Sequence, residues 1–144
     1  MVTYADSSFL ISLYIDDNQS EAARSYLAKN PHPITLTLFS KSEAQHALRM
    51  SAFRGDISEV EMTRYLLVFE RDRDEGIYES VHVDGEALFQ KTAQLSHRYA
   101  LSLGVRYPDM LHVASALLVK ARRFLTFDSR QGKLAKSAGL EVRP

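Results

Sequence analysis

No cysteine occurs anywhere in the chain, so disulfide bridges and thiolate metal sites are excluded, and the composition fits a protein kept in a reducing cytoplasm. Excess charge is missing too: 18 basic and 18 acidic residues cancel. A protein that holds long nucleic acid by its overall field is ordinarily basic, so any nucleic-acid role here has to be local or metal-bridged. The opening stretch MVTYADSSFLISLYIDDN has no basic lead-in, and no uncharged apolar run approaches the ~20 residues that span a bilayer. Neither a signal peptide nor a membrane span is expected, and a cytoplasmic location is. Internal repeats, linkers and low-complexity segments are also lacking, so the expectation is one domain over residues 1–144.

What is present is an alternation of short apolar runs with helical segments, the pattern of an α/β protein with a mainly parallel sheet. Val2 to Ala5 reads as a first strand, followed by helices from about Ser7 and from Gln19 to Lys29. Ile34 to Leu38 is the next strand, with Ser40 opening a helix that runs to about Arg54. Ser58 and Glu61 have the spacing of a capping box for a helix reaching Arg73. Strands follow at Ile77 to Val83, Phe124 to Phe127 and Glu141 to Val142. Between and after them come helices from Asp84 to Leu103, from Pro108 to Lys120 and from Ser129 to Ala138. The charged piece FERDRDEG reads as a solvated helix end with local ion pairs.

Carboxylates recur where strands give way to helices: Asp6 after VTYA, Glu43 after Ser40, Asp109 after Pro108, and Asp128 after FLTF. Each has a local explanation as a cap, a capping-box partner or a complement to the helix dipole; Asp128 and Gln131 have the spacing of such a box. In a parallel sheet, however, all strand-to-helix junctions open on one edge, where ligands bind at the reversal of strand order. Converging carboxylates repel one another unless a cation sits among them. An all-oxygen set suits Mg²⁺ or Mn²⁺, and such an ion orients water for attack on phosphate, which makes phosphodiester hydrolysis the natural chemistry. Spacing alone does not separate Asp84 from the other four acids.

Four stretches together resemble PIN-domain ribonucleases, most closely the VapC-type toxins of type II toxin–antitoxin pairs. They are YADSSFLISLY, FSKSEAQHAL, PDMLHVASAL and FLTFDSRQGKLAKSAGLEV, and the similarity runs over the whole chain. The resemblance implies a five-stranded sheet of order 3-2-1-4-5 and Asp6, Glu43, Asp109 and Asp128 as catalytic metal ligands. Asp84 has no counterpart, its strand lying at an edge. Ser7 and Thr126 are implied to support the acids by hydrogen bonds, and Lys41, Arg106 and Arg130 flank the acids as candidate RNA contacts. Met110 departs from the smaller residue often found after the acid, which bears on packing. His46 and His112, one turn beyond Glu43 and Asp109, are read as surface or helix-packing residues.

The leading expectation is a Mg²⁺-dependent endoribonuclease toxin acting on RNA and restrained by a cognate antitoxin protein. A housekeeping RNA-processing or flap nuclease, and a catalytically silent PIN module that only binds protein, are the alternatives. Apolar residues between Ser40 and Arg73 are the candidate antitoxin surface. Leu95, Tyr99, Leu101, Leu103, Val105 and Tyr107 are the candidate contact of a homodimer, the assembly the resemblance implies.

Overall fold

Strands only three residues long form the sheet in the computed structural model, which describes residues 1–144: β1 (Thr3–Ala5), β2 (Ile34–Leu36), β3 (Tyr78–Ser80), β4 (Arg123–Leu125) and β5 (Glu141–Arg143). All neighbours pair in parallel, in the order β3-β2-β1-β4-β5. Seven helices connect or flank them: α1 (Ser7–Ser12), α2 (Ser20–Lys29), α3 (Leu38–Phe53), α4 (Glu59–Asp74), α5 (Gly85–Leu103), α6 (Tyr107–Leu118) and α7 (Ser129–Ser137). No helix is long and apolar enough to cross a membrane.

The two-residue period of a strand sorts the central side chains into two cores. Ala5, Ile34, Leu36 and Leu125 pack with Phe9, Leu10, Leu48 and Phe69, from α1, α3 and α4. Tyr4 and Phe124, stacked with centroids 5.6 Å apart, pack on the opposite face with Met110, Val113 and Leu134, from α6 and α7. Met110 is accordingly a packing residue. Gly104 ends α5 in a left-handed conformation (φ 60°), which glycine adopts without steric cost.

Several boundaries differ from the sequence reading. The second strand stops at Leu36, because Thr37, not Ser40, caps α3: its hydroxyl accepts from the Ser40 N–H (3.2 Å), and the Ser40 hydroxyl accepts from the Thr37 N–H (2.9 Å). Ser40 is therefore the third helical residue, and Glu43 lies in the second turn, outside the capping pattern. The third strand is confined to Tyr78–Ser80, and the fourth runs one residue earlier than its expected start and ends at Leu125. Ser58 and Glu61 do form their box, both bonds at 3.0 Å. The box at Asp128 is only half made, since Asp128 accepts from the Arg130 and Gln131 N–H groups while the Gln131 side chain goes to Asp109. The end of α4 carries the ion pairs Arg73–Glu70 and Arg71–Glu75.

Candidate active site

The chain winds outward from β1 to β3, then returns to place β4 on the other side of β1, so strand order reverses between β1 and β4. The two residues that leave these strands toward helices are Asp6 and Asp128. Asp6 caps α1 and is 2% exposed. Its Oδ1 accepts from the Phe9 N–H (3.0 Å) and the Ser8 hydroxyl (2.7 Å), and its Oδ2 accepts from the Thr126 hydroxyl (2.5 Å). The Thr126 oxygen in turn accepts from the Asp128 N–H at 2.9 Å, so one hydroxyl joins the two junctions. Burial pushes the Asp6 carboxyl above the usual carboxylate range, against the pull of positive charge available at His112 and of its three donors.

Asp109 is the third residue of α6, directly after Pro108, whose missing N–H costs nothing in the first turn. It is 6% exposed. Its Oδ2 lies 3.4 Å from Arg106 Nε, and its Oδ1 accepts from Gln131 Nε2 at 3.1 Å, which ties α6 to α7. The Gln131 side-chain oxygen is buried without a partner.

Glu43 is joined to a different set. Its Oε1 accepts from the Ser7 hydroxyl (2.6 Å) and meets His112 Nε2 at 2.5 Å, while Oε2 has no partner within the chain. Partial burial works against the Glu43 charge, but the bond from His112, that residue's field, Ser7 and Arg106 outweigh it and hold the carboxyl below its ordinary range. His112 is the buried, helix-packing histidine of the two alternatives read from the sequence: it is 1% exposed, its Nδ1 lies 2.8 Å from the Tyr4 hydroxyl, and its Nε2 meets Glu43. His46 is on the surface.

Asp109 and Asp128 line one open cavity of about 330 Å³ together with Arg106, Ser129 and Arg130. A second cavity of about 340 Å³ shares Asp128 and Ser129 with it and extends along α7 past Lys133 and Lys136. Lys41 pairs with Glu70 at 3.3 Å and lines a separate cavity with Arg73 and His82. Asp84 is exposed and does no more than cap α5, accepting from the Ala87 N–H at 2.9 Å.

The chemistry of these groups suits a hard divalent cation. The donors are all carboxylate oxygens, and Asp6 is a buried carboxylate with no lysine or arginine paired to it, a situation that positive charge relieves. No three His, Asp or Glu side chains close around a single point.

A sequence profile of the PIN domain matches residues 3–137. The chain belongs to the PIN-domain family. No curated protein matches it in sequence. Among solved structures, this PIN domain is similar to VapC20 of Mycobacterium tuberculosis, described as a sarcin-ricin loop cleaving toxin, at 17% identity and a TM-score of 0.71 over 99% of both chains. It is also similar to VapBC2 of Rickettsia felis, solved on a promoter DNA fragment, at 14% identity and a TM-score of 0.68 over 99% of this chain and 98% of that one. FitAcB of Neisseria gonorrhoeae matches at 13% identity and a TM-score of 0.68, covering 99% and 97%.

In this PIN domain, sequence reasoning named His112 and Gln131 only as packing and capping residues and did not single out Tyr4, Lys133 or Lys136. His112 and Gln131 each stand three residues beyond an acid, a spacing that puts both side chains on one helix face. That was the available signal; which partner each meets across the fold was not in it.

Proposed function

We propose that the protein is a metal-dependent endoribonuclease that hydrolyses RNA phosphodiester bonds, serving as the toxin of a type II toxin–antitoxin pair. The observation that carries this is the junction between β1 and β4: Asp6 and Asp128, one from each strand end, linked through Thr126, with Asp109 in the same cavity as Asp128. Asp6, Glu43, Asp109 and Asp128 would hold Mg²⁺ or Mn²⁺, which supplies positive charge to the scissile phosphate and lowers the pKa of an attacking water.

The chain's own groups do the rest. Thr126 and Ser8 fix both oxygens of Asp6, and Gln131 fixes Asp109. Arg106 and Arg130, on the rim of the acidic cavity, pair with non-bridging phosphate oxygens. Lys133 and Lys136, in the adjoining cavity, receive the next part of the strand. These four basic side chains, which share cavities with Asp109 and Asp128, would let a chain of zero net charge hold a polyanion.

The toxin assignment is supported by neighbours of matching length whose descriptions name toxins and toxin–antitoxin complexes. Phe53, Val60 and Leu67 on α3 and α4 are exposed and offer the antitoxin an apolar surface. Of the residues named for a homodimer contact, Leu101 and Tyr107 are exposed, Tyr99 and Leu103 are partly buried against the core, and Leu95 and Val105 turn into it, so a symmetric contact would rest mainly on the first two.

The test is cleavage of an end-labelled RNA by purified protein in Mg²⁺ or in EDTA, beside Asp109→Asn. Cleavage confined to wild type with metal is expected. Equal cleavage by Asp109→Asn, or none by wild type in any divalent ion, overturns the proposal.

A further inference from the structure

A buried imidazole has to satisfy two ring nitrogens, and those of His112 are satisfied by two different elements. Nδ1 lies 2.8 Å from the Tyr4 hydroxyl on β1, and Nε2 lies 2.5 Å from Glu43 Oε1 on α3. The ring is held on its flanks as well, with the Phe39 ring centroid 4.6 Å away and the Tyr4 ring edge-on at 5.9 Å. An ionised carboxylate only accepts, so Nε2 carries a proton toward Glu43. The Tyr4 hydroxyl can donate to a bare Nδ1 or accept from a protonated one, so that bond persists either way. A ring bonded at both nitrogens and packed on both sides cannot turn.

The consequence falls on Glu43. Its long side chain is about a third exposed and would otherwise sample several rotamers. Two donors, His112 and Ser7, converge on Oε1 and leave Oε2 as the oxygen without a partner. We infer that His112, braced by Tyr4, is the positioning residue for Glu43: it pins one carboxylate oxygen so that the other is presented to the divalent ion. The chain Tyr4–His112–Glu43 thereby ties a ligand on α3 to the central strand that carries Asp6. This rests on the metal-site reading above and adds a residue pair outside the four acids.

Support residues behind metal ligands typically change affinity by about 10–100-fold when removed. The experiment is Mn²⁺ binding to the full-length protein without RNA, followed by loss of the free-ion paramagnetic resonance signal, with folding checked by thermal unfolding in EDTA. His112→Leu is expected to weaken Mn²⁺ binding by about 10–100-fold. His112→Gln, which restores an N–H donor near the Nε2 position, is expected to recover most of that loss. Tyr4→Phe keeps the ring packing and frees Nδ1, and a smaller but clear weakening is expected. In RNA cleavage, all three should shift the Mn²⁺ concentration required while leaving the RNA KM unchanged.

A purely structural histidine predicts otherwise: lower melting temperatures, but wild-type Mn²⁺ affinity in the folded protein and no advantage of Gln over Leu. That pattern overturns the inference, and His112→Gln with Tyr4→Phe decides the matter even where His112→Leu does not fold. Asp109→Asn separates the two levels of the argument. Wild type that binds Mn²⁺, with loss in Asp109→Asn but none in the His112 and Tyr4 variants, overturns the positioning role alone. Wild type that binds no Mn²⁺ overturns the metal site together with it.

Discussion

Replacing Thr126 by valine preserves the shape of the side chain and deletes a hydroxyl that serves two acids. That hydroxyl donates to buried Asp6 Oδ2 at 2.5 Å and accepts from the Asp128 N–H at 2.9 Å. Burial raises the Asp6 pKa in the folded protein, with Thr126 among the groups opposing the rise, so Thr126→Val raises it further. Asp6 itself therefore favours the fold below its unfolded pKa of ~3.9, and that contribution is lost as pH rises through the raised folded value. In acid the carboxyl is neutral, and the variant loses a neutral hydrogen bond and leaves the Asp128 N–H unmatched, about 2 kcal/mol together. Once the carboxyl is ionised the lost bond is one to a charge, and the difference grows to about 3–4 kcal/mol. For a chain of this size that corresponds to a drop in Tm of about 10 °C. The assay is urea unfolding by circular dichroism in EDTA at several pH values, with Thr126→Ser as the control that retains the hydroxyl. A difference that stays constant across pH, or one under about 0.5 kcal/mol at pH 7, refutes the reasoning that Thr126 supports the Asp6 charge.

Asp6→Asn removes a carboxyl whose ionisation burial opposes while keeping an acceptor for the Phe9 N–H, so metal-free protein at pH 7 should show a urea midpoint equal to or above wild type. A clear loss of stability contradicts the account of Asp6. Lys133→Glu with Lys136→Glu should raise the RNA KM by about 10-fold or more at low salt, and flatten the log–log salt dependence by roughly 1.4. An unchanged KM removes α7 from the RNA path. Asp84→Ala deletes the cap on α5 and should cost about 1 kcal/mol in urea unfolding with RNA cleavage intact. Leu101→Glu tests self-association by light scattering at micromolar concentrations: a monomer mass is expected for the variant and a dimer mass for wild type, and identical masses place the contact elsewhere.

The sequence by itself determined which elements occur and in what order, because that depends on neighbours a few residues apart. Alternating apolar runs marked the five strands, Asp6 and Asp128 stood at strand ends as helix caps, and Pro108 placed Asp109 in a first turn. The error at α3 was also local: Thr37 and Ser40 are both good caps three residues apart, and only the paired bonds decide between them. The tertiary structure decided which of these groups meet. Glu43 and His112 are 69 positions apart, and Tyr4 and His112 are 108 apart. Their contact depends on how α3 and α6 are rotated where they pack about β1. The same holds for Thr126 between Asp6 and Asp128, and for Gln131 turned to Asp109 instead of its own helix cap. Local preference acts within a turn or two of chain, whereas these partners are chosen by the burial of two apolar cores on opposite faces of one sheet, which brings distant polar groups together at its edge.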